Sequence, residues 1–413
     1  MDINNSTVSR NIRAVIDLLA QGGIYDPNEA SAKNLDMPSV MEHVVLVHGD
    51  LGTGERLQGA QLWRSIEATP WDHFQHIIFI PGLFHLKMAC ADALWRYETC
   101  LMQDISLLQP KETGIYCSKP GFRHMHQAIA HTGTCQRLDC WRVHVSKRFP
   151  GVTNLDAFAA LQPTLDELQS LAAELSLTYV AGHTLGHMRQ KPHKEQDIQY
   201  ENSLLLNKYF SLYEELSYAM NQGDIGRVKT CTILWIPILK ALGKHKYASH
   251  MTTFLSNVHF VYPEGLRRAI RYHMLVNPTG KAMKWHAVDW CVKYGGKGVN
   301  RTMERILLES PLVQTYHMSQ SVVQKNFLHT HLSVKHADPN MTKTFNVLLT
   351  QLTNHSPHIF VPGRTSRYEV PNLTNKGQEM EKAVQGDRET AASNTLDTEG
   401  TGIAMEDVLV ELL

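Results

Sequence analysis

Asp50 and His85 are the two residues of this 413-residue chain best placed for chemistry. Asp50 closes the run Val44-Val45-Leu46-Val47-His48-Gly49-Asp50, and His85 closes His76-Ile77-Ile78-Phe79-Ile80-Pro81-Gly82-Leu83-Phe84-His85. A carboxylate supplies hard oxygens for a divalent metal, and an imidazole changes charge near neutral pH. Asp289 is a third catalytic candidate, Asp224 is a candidate to share a metal with Asp50, and Asp72 is a further carboxylate companion. Metal-assisted phosphoryl transfer needs several carboxylates within a few ångströms, so Mg²⁺ is the expected cofactor only where such a nuclease-type centre is intact.

Competing chemistries fit less well. Gly49, Gly52 and Gly54 follow an apolar run, but Glu55 and Arg56 stand where a phosphate-binding loop carries Lys and then Ser or Thr. A carboxylate there repels phosphate oxygens. His183 and His187 lie four apart, yet Gly182 and Gly186 interrupt a helix and no Glu lies between them. The pair His124 and His126, and the group His329, His331 and His336, lack supporting acids. No Gly-x-Ser-x-Gly elbow is present.

Both apolar runs read as buried strands, each leading into a helical stretch. Catalytic groups in such sheets collect at the carboxyl ends of strands. The fold class expected is α+β, or α/β, with a small sheet near residues 41–110 and a larger, mostly helical part. Residues 1–40 read as an N-terminal extension with a helix over 8–19. A family-sized domain over 41–355 would join a strand/helix core at 41–110 to a mainly helical 155–350.

Within that domain a second helix is expected over 86–101. Residues 111–200 read as less regular, with turns at Pro120-Gly121 and Pro150-Gly151 and a helix over 155–177 that Pro163 splits. Gly223 ends a helix, Asp224 caps the next, and Pro237 kinks it. Further helices are expected over 248–262, 263–276, 302–309 and 312–327. Periodicity fades past 355, and residues 376–402 are polar and acidic. The tail over 356–413 is therefore expected to be largely disordered.

No apolar stretch is long enough for a membrane span, and the start lacks a basic, apolar leader. An intracellular protein, nuclear or cytoplasmic, is the expectation, with no membrane partner. Seven cysteines without a Cys-x-x-Cys pair fit reduced thiols. The net charge of zero hides an asymmetry: residues 224–301 hold 13 Lys or Arg against three acids, whereas residues 376–413 hold three against nine. A basic stretch over 227–301 with interleaved aromatics suits DNA or RNA. Its candidate contacts are Lys244, Lys246, Arg267, Arg268, Arg271, Lys281 and Lys284.

The segments 48–56, Ile80-Pro81-Gly82-Leu83-Phe84-His85-Leu86-Lys87-Met88, Gly223-Asp224-Ile225-Gly226-Arg227, Gly243-Lys244-His245-Lys246-Tyr247, Val276-Asn277-Pro278-Thr279-Gly280 and Asp289-Trp290 occur in this order. Together they resemble a fungal family catalogued as domain of unknown function 6589, over roughly residues 41–350. That resemblance implies no particular activity. A weaker similarity runs to transposase cores of the ribonuclease H-like type, where an Asp ends one strand and a short apolar strand runs into a His-containing helix. Asp50 and Phe84-His85 match that layout.

Two departures accompany the resemblance. Residues 1–40 offer no strand for a first Asp, and Val292-Lys293-Tyr294-Gly295-Gly296 stands where family members carry an acidic, Asn-rich run. The resemblance thus implies a truncated copy of a mobile-element protein, binding nucleic acid beside an incomplete ribonuclease H-like centre and without activity as this chain alone. The alternatives are a non-enzymatic helical interaction scaffold and, third, an active metal-dependent nuclease.

Overall fold

The computed structural model describes residues 7–26, 43–104, 121–182, 184–290, 340–368 and 370–392. The elements begin with α1 (Val8–Gln21), β1 (Val45–Gly49), α2 (Leu51–Trp63), β2 (Ile77–Pro81) and α3 (Leu83–Asp104). Next come α4 (Phe122–Arg148), α5 (Leu155–Ala160), α6 (Leu165–Tyr179), α7 (Thr184–Arg189), α8 (Ile198–Gln222), α9 (Ile225–Ala241) and α10 (His245–Ser256). The last are α11 (Glu264–His273), β3 (Leu275–Val276), β4 (His286–Ala287), α12 (Thr342–His355) and α13 (Leu373–Ala392). The fold is α+β and mostly helical, with two small two-stranded sheets among the described residues. The expected helices over 302–309 and 312–327, His183, and the His329, His331 and His336 group lie outside the described residues.

The chain forms two compact units. The first is drawn from Met1–Phe84, Tyr262–Val276 and His286–Asn340. Here β1 pairs in parallel with β2, Val45 opposite Ile77 and Gly49 opposite Pro81. Parallel neighbours need a crossover, and α2 supplies it. Asp50 caps α2: its Oδ1 accepts from the Thr53 amide and hydroxyl, both at 2.8 Å. The glycine at 54 serves packing, since a Cβ there would overlap the Phe79 ring. Leu19, Leu57, Ala60, Phe74 and Ile77 form the core that α1 and α2 share with the sheet. The antiparallel pair β3–β4, which the sequence pattern assigns to a helix or to no element, sets Val276 opposite His286.

The second unit is drawn from His85–Val261, Asn277–Trp285 and Met341–Leu413. Its 27-residue helix α4 corrects the irregular reading of 111–200. Gly121 stands at its N-cap and Gly151, at φ 88°, follows its end. Polar Thr132, Gln136 and Asp139 share its buried positions with Met125, Ile129 and Val143, which hides the helical period of apolar residues. Pro163 separates α5 from α6, Gly223 ends α8 at φ 81°, and Asp224 caps α9 by accepting from the Arg227 amide at 3.0 Å.

The tail expected to be disordered from residue 356 is instead ordered through 392, apart from residue 369, which lies outside the described residues with 393–413. Leu373 and Val370 are buried, and the Leu373 amide donates to the Tyr209 hydroxyl at 2.7 Å. Gly377 lets α13 approach the Pro237 carbonyl of α9, and Glu381 pairs with Lys240. Arg364 grips Asp197 at the start of α8 with two hydrogen bonds of 2.8 and 2.7 Å. A few strong anchors hold this segment despite its low apolar content.

Candidate functional site

Asp289 is buried, with 4% of its surface exposed, although it lies 239 positions beyond Asp50. Its Oδ1 accepts from the Phe84 amide at 3.0 Å, just past the end of β2. Its carboxylate rests against Gly82, where any Cβ would overlap it. Gly82 in turn donates its amide to the Gly49 carbonyl at 2.7 Å, the residue before Asp50. The carboxyl ends of both strands and Asp289 therefore share one edge of the first unit. His286 and Trp290, flanking Asp289 in sequence, stack at 4.0 Å between centroids.

His48, one register position from that edge, completes the group. Burial lowers its pKa below the ordinary value, Asp289 pulls it up, and His273 at the end of α11 pushes it down. Sequence reasoning singles out neither histidine. The signal for His48 is present, in the strand that ends one residue before Asp50; nothing local marks His273.

The remaining candidates have local contacts of their own. Asp224 belongs to the second unit, where it caps α9. Asp72 is held by Arg64 at 2.8 Å and by the Thr69 hydroxyl at 2.7 Å, a loop-fixing role. His85 is half-buried in the first turn of α3 and is assigned to the second unit. Among the described residues no three of His, Cys, Asp and Glu form a metal-holding group. Asp50 spends one oxygen on its cap and Asp289 one on Phe84. The described residues thus do not supply the carboxylate set that Mg²⁺ needs for phosphoryl transfer, and no step is assigned through it.

The basic stretch divides between the units. Arg267, Arg268 and Arg271 share α11 in the first; Lys244, Lys246, Lys281 and Lys284 belong to the second. Lys244 is already bound to the carboxylate of Asp92, and Arg227 to Glu215 at 2.6 and 2.7 Å. Lys246, Lys281 and Lys284 are exposed. Lys293, Lys297 and Arg301 lie outside the described residues. The three α11 arginines differ from Arg64, Arg137, Arg142, Arg189 and Arg364, each of which holds a carboxylate. Among the described residues no carboxylate pairs with Arg267, Arg268 or Arg271, and the Arg267 Nε is buried with no acceptor.

A family model described as a family of unknown function, DUF6589, matches residues 1–336. The chain belongs to that family. No curated protein and no solved structure matches it. The DUF6589 match takes in the whole strand edge and α11, and ends before α12 and α13. No helix among the described residues is long and apolar enough to cross a membrane.

Proposed function

We propose that this DUF6589 chain binds nucleic acid through α11, and that the edge carrying His48, Asp50 and Asp289 is what remains of a ribonuclease H-like centre from a fungal mobile element. The observation that carries the reading is the set of arginines at 267, 268 and 271 on one helix, without acid partners among the described residues. Guanidinium groups fit phosphate oxygens in pairs, and phosphates supply most of the affinity in nucleic-acid complexes.

Two experiments test the reading. Titration of the full chain with labelled oligonucleotides at low salt should show binding, and Arg268→Glu with Arg271→Glu should weaken it by at least about tenfold. No binding, or binding indifferent to the double change, overturns it. A nicking assay with Mg²⁺ or Mn²⁺ should show no cleavage; cleavage that vanishes in Asp289→Asn would mean an active nuclease. Asp289→Asn suits this control because Asp50 also caps α2.

One observation favours an interaction scaffold as the second reading. Leu62, Trp63 and Ile66 expose 73%, 71% and 90% of their surface around the end of α2, and clustered exposed apolar side chains mark contact surfaces.

A further inference from the structure

We infer that α11 selects unpaired nucleotide strands over duplex, with Tyr272 as the platform on which a base stacks; the inference rests on the nucleic-acid reading above. Tyr272 leaves 68% of its surface exposed, whereas Tyr179, Tyr209 and Tyr213 are all buried to 2% or less. Its neighbour Ile270 is 1% exposed and seats the helix, so the ring is presented outward from a fixed element.

Arg268 stands over the Tyr272 ring at 5.7 Å from its centroid. The pair is four residues apart and therefore on one helix face, and Arg271 is three from Arg268 on the same face. The face thus presents an aromatic plane with the Arg268 guanidinium over it and the Arg271 guanidinium one turn from Arg268, neither with a carboxylate partner among the described residues. That combination is what a single strand needs: cations to follow the phosphates and a ring to take a base.

A duplex cannot use the ring. Its bases already stack on each other, and exposing one face costs unstacking energy. An unpaired strand offers base faces freely, and every base has one, so selection would be for strandedness and not for sequence. The shared chemistry is an unpaired base on a phosphate backbone, whether DNA or RNA.

The test uses the full chain in anisotropy titrations against labelled oligo-dT, oligo-rU and a duplex of equal length, at one salt concentration. Both single strands should bind more tightly than the duplex. Tyr272→Leu should weaken single-strand binding roughly 5- to 100-fold, leave duplex binding unchanged, and leave the salt dependence unchanged. Tyr272→Trp should restore the preference. Duplex bound as tightly as single strands, or a Tyr272→Leu chain with wild-type preference, overturns the inference while the nucleic-acid reading stands. No binding to any of the three probes removes both.

Discussion

Asp289 occupies its place because residue 82 is glycine, and that dependence is measurable. A Cβ at position 82 would sit 2.8 Å from the Gly49 carbonyl as well as overlapping the carboxylate. Gly82→Ala should therefore destabilise the chain by about 1–3 kcal/mol in urea unfolding, with the unfolding slope unchanged. At this scale the sequence is partly readable. Asp50 is legible because β-branched runs announce a strand end, but its helix-capping role is not. Asp289 is legible as a candidate acid, yet nothing near it in sequence predicts contact with Gly82 and Phe84.

His358 is not legible at all, and it makes the clearest pH prediction. It is fully buried, with Nδ1 2.7 Å from Asp139 Oδ2, while Arg142 holds the other Asp139 oxygen at 2.6 Å. Burial opposes its charge, but Cys140 and Asp139 beside it outweigh burial and push its pKa up to about 9. A raised folded-state pKa stabilises fully below the unfolded value of 6.5 and loses that contribution as pH rises toward 9. Urea midpoints should accordingly fall across that window in the wild type. His358→Gln should start lower and stay flat over the same range; an equally steep fall in the variant would remove His358 as the cause. Asp139 is held below its ordinary value by His358 and Arg142 against the effect of burial, and adds a loss only well into acid.

The elements divide by how they bury themselves. β1 and β2 are readable from composition, and α5–α6 and α8–α9 from Pro163, Gly223 and Asp224. α4 is not, because its buried face includes Thr132, Gln136 and Asp139. α13 is not, because it docks through Leu373, Gly377 and Glu381 and carries little apolar periodicity. Two helical glycines separate packed from open positions. Gly265 in α11 has open space where a Cβ would stand, so Gly265→Ala should stabilise by roughly 0.5–1 kcal/mol. Gly377→Ala would drive a methyl into the Pro237 backbone and should cost about 1–3 kcal/mol. Thermal unfolding of the two variants should move in opposite directions.

At the scale of the whole molecule, charge is arranged by what it neutralises. Lys240, Lys244 and Arg227 from the basic stretch serve carboxylates within the second unit, which leaves α11 as the described helix of that stretch where arginines without acid partners gather. Sequence counting cannot distinguish the two groups, because two of the three pairings, Lys240 with Glu381 and Lys244 with Asp92, join residues more than a hundred positions apart. The DUF6589 match ends at residue 336, but Arg364, Leu373 and Glu381 tie the following segment into the second unit.

Whether the α11 arginines meet phosphates is tested most directly by the salt dependence of binding. For a single strand, each phosphate neutralised contributes about −0.7 to the slope of log affinity against log salt. Comparing the wild type with Arg268→Gln and Arg271→Gln together on oligo-dT should show a slope shallower by about 1.4 in the variant. Equal slopes for the two proteins, or no binding by the wild type at low salt, would contradict the account.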